Sequence, residues 1–492
     1  MGGTYRLGLT GDVIMNSRVS ACRDADVLAA VEVLRGADVT HAHLEIPLHD
    51  FGGADIFGAA EGALAWYRGP RYVAEELRWM GVDLVSTASN HSLDYSYGGL
   101  RSTIEALDAA GLPHAGTGGD LAAARAPAFA DTAAGRVALV SATSSFPAFA
   151  RAGAARTDAP GRPGVNPLRY VHVIDPGTAR QVASLAAALG LWAVRDGDEI
   201  VIHPPGLHNS IRRFRVAGDE ATGGEATAGE NTGGEDTGGE ATGGENTAGE
   251  NTAREATGGT EATTACDDSD LAGNMESIRY ARSVADLVIA HLHVQEWDGA
   301  DGRMLSTPAF AREFARAAVA AGAGVVLIQG AHAPMRGIEV LEGVPVFYEP
   351  GPLFRLGRRE AQPHDFYTRW GNAPRVRSFD AGILEAYAGR DTALGGGVAG
   401  SGGGKQVLSP REGNAHHPGS FVPVCEVDRD THRVTRVALH PMSWSRARRA
   451  TTGFPVRLTG ERASQVLARI AELSAPYGTA VSADGDTGWV AV

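Results

Sequence analysis

Five stretches of this 492-residue chain carry side chains that bind metals or move protons, each at the end of an apolar, β-type run. Gly11-Asp12 follows Tyr5–Leu9. His41, His43 and Glu45 lie at a spacing of two within Val39–Pro47, which puts all three on one face of a strand. Asn90-His91 follows Val82–Thr87, with Asp94 three residues further on. His291 and His293 close the run that starts at Leu287, and Glu296 follows them. His332 comes just after Gly324–Gln329. Carboxylate, amide and imidazole donors without a thiol suit Mn, Fe, Zn or Mg. An Asn carbonyl can bind such a cation, His91 beside it could deliver a proton to a leaving group, and Asp94 could orient that imidazole. Each stretch also has a plainer reading. Gly11-Asp12 is a turn signal, the His41/His43/Glu45 face could be a solvated strand face, and Asn90 could cap a helix. Five in succession point to a site, because open α/β sheets bind ligands beyond the carboxyl ends of their strands.

The elements that must position these groups alternate. Tyr5–Leu9, Val82–Thr87 and Arg136–Ala142 read as strands, and Arg71–Met80 and Gly99–Ala110 as helices. Ala179–Leu191 reads as a helix and Glu199–His203 as a strand. The rhythm resumes with strands at Leu287–Leu292, Gly324–Gln329, Val344–Tyr348 and Val434–Leu439, and helices at Ala309–Ala321 and Glu461–Leu473. This predicts a layered α/β domain. From Asp219 to about Ala265 the chain repeats five-residue units such as ATGGE and NTGGE. With no apolar side chain larger than Ala, stacked copies would bury nothing, so a disordered acidic linker is expected over 219–273. It interrupts one α/β domain, with 1–218 before it and 274–390 after it. A Gly-rich loop at 391–406 and a tail of strands and a helix at 407–492 follow.

Composition narrows the function. Hydrophobic residues at 43% and charged residues at 21% are ordinary for a globular chain with a large core. The net charge of -14 argues against nucleic acid, which basic patches recognise. Residues 219–265 hold 11 Asp+Glu against one Arg, however, a local net of -10. The remainder is near neutral and leaves an anionic substrate open. Cys22, Cys266 and Cys425 are too few and too scattered for a disulfide scaffold or a Cys-built zinc site. No signal peptide or membrane span is visible, so a cytoplasmic location is expected. The oligomeric state is not legible.

In this order the motifs resemble those of the CapA family of bacterial poly-γ-glutamate capsule-synthesis proteins, a branch of the calcineurin-like metallophosphoesterases. They are Gly11-Asp12, His43-Leu44-Glu45-Ile46-Pro47, Asn90-His91 through Asp94 to Gly98, His291-Leu292-His293-Val294-Gln295-Glu296, and Gly330-Ala331-His332-Ala333-Pro334 with Gly337-Ile338-Glu339. Gly111–Pro127 and the C-terminal GFPVRLTGERASQVLARIAELSAPYGT are similar as well. The resemblance implies a four-layer α/β/β/α sandwich holding one or two divalent metal ions. Asp12, Glu45, Asn90, His291 and His332 would be the ligands, with Glu45 bridging, and His91 would be the acid beside the leaving group. It implies a hydrolase acting on a phosphoester or a γ-glutamyl amide of a small molecule or polymer. The alternative is a non-catalytic accessory protein that binds the anionic polymer, for which Arg336, Arg355, Arg358 and Arg359 could supply local positive charge. The chain departs from the family pattern in several places. His43 replaces an Asn, His293 a Gly, Gln295 a Glu, and Pro334 the second His of the last motif. One of two metal positions would thereby be poorly ligated: His43 or His293 could compensate, and a one-metal site or a weakened catalyst is equally open.

Overall fold

The computed structural model describes residues 3–59, 66–203, 212–217, 263–296, 306–331, 335–355, 362–363, 365, 419–446, 448 and 450–492. The Gly-rich stretch at 391–406 and most of the acidic repeat lie outside them. The described chain is mixed α/β with several sheets, and it divides into two compact units. Met1–Tyr170 and Cys266–Val492 form one unit, so segments from both sides of the acidic repeat build it together. Val171–Ala265 forms the other. There, antiparallel strands Trp192–Asp196, Glu199–His203 and Arg212–Val216 form a small sheet with Tyr170–Ile174, and Ile174, Ala179, Ile200 and Val216 form its core.

The larger unit holds two large sheets. In the first, Thr4–Val13 lies between the parallel strand Val39–Leu44 and the antiparallel strand Ser420–Asp428. Leu84–Ser86 and His114–Ala115 continue it in parallel on one side, and Val434–Trp444 extends it on the other. In the second, Gly135–Thr143, Leu287–His293, Val325–Gln329 and Val344–Tyr348 run parallel, flanked by antiparallel Ala128–Thr132 and Ile338–Leu341. Leu287–His293 is buried on both faces, which explains its nearly continuous apolar sequence.

Side-chain alternation sorts each strand between two cores. Leu7, Leu9, Val39 and Leu84 of the first sheet share one apolar cluster with Val137, Leu139, Leu287, Ile289, Val325 and Leu327 of the second. Their strand neighbours face helices. Ala42, Leu44 and Val85 pack with Val27 and Val31 of helix Ala25–Arg35 and with Val73 and Leu77 of helix Val73–Trp79. Val288, Ala290 and Val326 pack with Ile278 of helix Asp268–Val284 and with Phe310 and Phe314 of helix Ala309–Ala321. Each fully buried Phe contributes about 1.5–3 kcal/mol.

Three expectations are corrected. The linker assigned to 219–273 ends earlier, because strand Thr263–Cys266 and helix Asp268–Val284 begin inside it. Asp267 caps that helix by accepting from the Asp270 N–H at 3.1 Å, and Met275, Ile278 and Ala281 bury one face. Its acidic first turn, which suits a helix N-terminus, had read as linker. Asn90 caps no helix, since the next one runs Ser96–Ala109 and residues 89–95 form turns. The first strand does not stop before Gly11 but continues to Val13.

Candidate metal centre

On the face where the two sheets share a core, the strands change character toward their carboxyl ends. Val39 gives way to His41 and His43, Leu84 to Ser86, and Leu139 to Ser141 and Thr143. Ile289 gives way to His291 and His293, and Leu327 to Gln329. Period two keeps each of these on the same face as the apolar residues before it. A buried polar layer thus sits on top of an apolar core.

Asp12 reaches this face through an irregularity. Leu7 pairs with Val39 and Leu9 with His41, yet Asp12 rather than Gly11 pairs with His43. One extra residue between Leu9 and Asp12 reverses the parity of the strand, as a β-bulge does. Val13 accordingly packs with the helices on the opposite face. Gly11 is required at the bulge, because a Cβ there would run into the Gly351 carbonyl.

Asp12, His43 and His293 come together, all three buried, with one donor atom from each lying within 4.8 Å of the others. Asp12 Oδ1 is 3.9 Å from His43 Nε2 and 3.9 Å from His293 Nδ1. Two donors about 2.1 Å from one ion span at most about 4.2 Å, so both Asp12 distances suit a shared divalent cation. Hydrogen bonds on the far side of each ring turn these nitrogens inward. Ser86 Oγ lies 2.9 Å from His43 Nδ1 and 2.9 Å from His41 Nε2. Asn90 Oδ1 accepts from His293 Nε2 at 2.9 Å, which leaves the lone pair on Nδ1. The Gln329 amide donates to Asp12 Oδ1 at 3.3 Å. His291 packs against His43 with ring centroids 4.5 Å apart. Its Nδ1 is paired with Ser141 Oγ at 3.0 Å, and its Nε2 has no hydrogen-bond partner among the described residues.

A second set adjoins the first through the Asn90-His91 peptide. His91 Nδ1 and Asp94 Oδ2 are 2.7 Å apart, and Asp94 Oδ2 also accepts from the Tyr67 N–H at 2.7 Å. His91 Nε2 lies 3.9 Å from Glu45 Oε1. Tyr67 covers the imidazole, with ring centroids 4.6 Å apart. Burial raises the Asp94 carboxyl above its ordinary value, against the opposing pull of His91 and the Tyr67 N–H. Burial, and then the neighbouring His41 and His293, hold His291 well below the usual imidazole range, in the neutral form that ligation needs.

The structure therefore joins Asp12, Glu45, Asn90, His91, Asp94 and His291 in one cluster and adds both His43 and His293 to it. His332 lies outside the described residues, as do Arg358 and Arg359. His41 shares the face of His43 but sits one register step deeper. Glu45 does not share it as a strand residue, since the strand ends at Leu44. Ser86, Ser141 and Gln329 were not anticipated. Register was the signal that would have found them, because Ser86 pairs with His43, Ser141 with His291 and Gln329 with His293.

Buried carboxylate and imidazole donors at the carboxyl ends of strands fit a domain of the calcineurin-like superfamily. Within it, the chain belongs to the PGA_cap family of bacterial capsule synthesis proteins, whose family model matches residues 6–204 and 207–354. Two proteins of Sinorhizobium fredii (strain NBRC 101917 / NGR234), the uncharacterized proteins y4sH and y4uA, are each 27% identical to it. Each alignment runs over 493 residues and covers 99% of this chain and 93% of the relative. No helix among the described residues is long and apolar enough to cross a membrane.

Proposed function

We propose that this chain is a divalent-metal-dependent hydrolase serving capsule or polyglutamate synthesis, acting on a phosphoester or a γ-glutamyl amide. The buried Asp12/His43/His293 group carries the reading, with the His91–Asp94 pair beside it. The two sheets with their helix-covered outer faces support a four-layer α/β/β/α sandwich. Asp12, His43 and His293 would hold a first ion, and His291, Glu45, Asn90 and His332 are the further ligand candidates. A bound Mn, Fe, Zn or Mg ion would polarise the scissile group and lower the pKa of a bound water. The remaining chemistry falls to the chain. Asp94 fixes the His91 ring through Nδ1, so Nε2 is the atom that passes a proton to the leaving group. Asn90 would hold His293 in the tautomer that turns its Nδ1 lone pair toward an ion shared with Asp12, and Ser86 would anchor the far side of the His43 ring.

The test is a hydrolysis screen with a phosphodiester, a phosphomonoester and γ-glutamyl peptides, with and without Mn(II). The wild type is expected to gain thermal stability with Mn(II) and to turn over one class. His91→Ala should keep the Mn(II) stabilisation and lose roughly 10²–10⁴-fold in rate. No metal response in the wild type, or full rate in His91→Ala, would sink the corresponding assignment. Binding of poly-γ-glutamate without turnover of any substrate would instead favour a non-catalytic accessory role.

A further inference from the structure

We infer that Glu349 is a positioning residue that locks Asp12 and His293, from different sheets, into one ligating group. The inference rests on the metal-site reading above. Glu349 follows strand Val344–Tyr348, is 1% exposed, and adopts φ 55°, a backbone conformation a glutamate holds only when its surroundings demand it. Its carboxylate accepts from three backbone N–H groups in two turns. Oε2 takes Gly330 N at 2.8 Å and Ala331 N at 2.7 Å, and Oε1 takes Gly351 N at 3.2 Å.

Each turn bears on one candidate ligand. Gly330, at φ 127°, lies against the His293 imidazole so closely that a Cβ there would fall 2.6 Å from Cε1. The second turn leads from Gly351, whose carbonyl abuts the Gly11 bulge, to Leu353 and Phe354. The Leu353 and Phe354 N–H groups donate to the Asp12 carbonyl at 2.9 and 3.1 Å. One buried carboxylate thus ties the turn behind His293 to the turn that grips the backbone of Asp12. A neutral side chain could not accept from both turns with both of its polar atoms, because one of them would be an NH2 donor.

The experiment compares wild type with Glu349→Gln in two readouts. Hydrogen exchange of the metal-free proteins is followed at Gly330, Ala331 and Gly351, with Leu287–His293 as the core control. Mn(II) affinity and the electron paramagnetic resonance spectrum of bound Mn(II) are then measured. The expected result is protection of the three amides in the wild type and its loss in Glu349→Gln, with the core control unchanged. Mn(II) affinity should fall roughly 10–100-fold, with an altered spectrum. Unprotected amides in the wild type, or exchange unchanged in the variant, would overturn the inference. So would lost protection with Mn(II) affinity and spectrum unchanged. Should Glu349→Gln fail to fold, the wild-type protection still decides against Glu349 if it is absent, and Glu349→Asp, with its shorter reach, repeats the comparison. Should the wild type bind no Mn(II), the metal-site reading fails by itself, and the exchange data still judge the Glu349 link.

Discussion

Holding imidazoles neutral in a core makes stability depend on pH. Burial lowers His41 to about 3. Burial and Arg68 bring His49 to about 4, and burial with Arg457 and Arg6 brings the partly exposed His440 to about 4. His291 is lowered as well, by burial first. An unfolded chain takes up these protons near pH 6.5, whereas the folded chain resists until its depressed values. Their contribution is therefore complete above pH 6.5 and lost as the pH falls toward 4. Asp83 and Asp94, raised by burial, act in the opposite sense, because the folded chain binds their protons above the ordinary carboxylate value. Four histidines outweigh two carboxylates, and they begin to titrate at higher pH. Each fully buried histidine is worth on the order of 2 kcal/mol between pH 7 and 5, and His440 less. Urea unfolding of the metal-free protein at pH 7, 6 and 5 should show a midpoint that falls steadily. A midpoint that holds or rises on acidification would mean that these rings are not kept neutral.

The bulge in strand Thr4–Val13 is the element on which the site depends most. It turns Asp12 toward His43 and His293 and sends Val13 to the helices. Gly11→Ala places a methyl group against the Gly351 carbonyl, and backbone on both sides leaves little room to yield. Overpacking of this kind costs about 1–3 kcal/mol. The expected outcome is a lowered urea midpoint together with weakened Mn(II) binding, since relief requires the bulge or the Gly351 turn to move. Unchanged Mn(II) affinity would show that Asp12 is placed by something else. None of this was legible in the sequence, where Gly11-Asp12 is only a dipeptide. A bulge is a property of pairing between two strands, and neither strand displays it alone. What was legible is local. The spacing of His41 with His43 and of His291 with His293 put each pair on one face, and strand alternation delivers that. Ser86, Ser141 and Gln329 acquire meaning only through register, and Glu349 only through two turns closing on it. Strand Ser420–Asp428 was hidden for a related reason. Its partner is the first strand of the chain, and Pro423 in its middle argues against a paired strand.

At the scale of the whole molecule, the larger unit is assembled from segments on both sides of the acidic repeat, whereas residues 171–218, expected in the same domain, fall in the smaller unit. The two chain ends where this unit is interrupted lie together. The Asp267 N–H donates to the Arg169 carbonyl at 2.8 Å, and the Arg169 guanidinium meets Asp270 at 2.6 Å and Asp267 at 3.2 Å. Asp267 in turn caps helix Asp268–Val284, which packs against the second sheet. A short bridge from Tyr170 to Cys266 therefore need span little distance, and loop-closure cost grows only with the logarithm of loop length. Every described residue of the Asp12/His43/His293 group, and His91 with Asp94, belongs to the larger unit. Replacing Val171–Ala265 by a short Gly-Ser bridge should accordingly leave one cooperative urea transition, with a midpoint close to that of the full chain and Mn(II) affinity retained. Circular dichroism, urea titration and Mn(II) binding on the shortened chain check this directly. A shortened chain that is unfolded, or folded without Mn(II) affinity while the full chain binds, would show that Val171–Ala265 is needed to complete the site and is not a tolerated insertion.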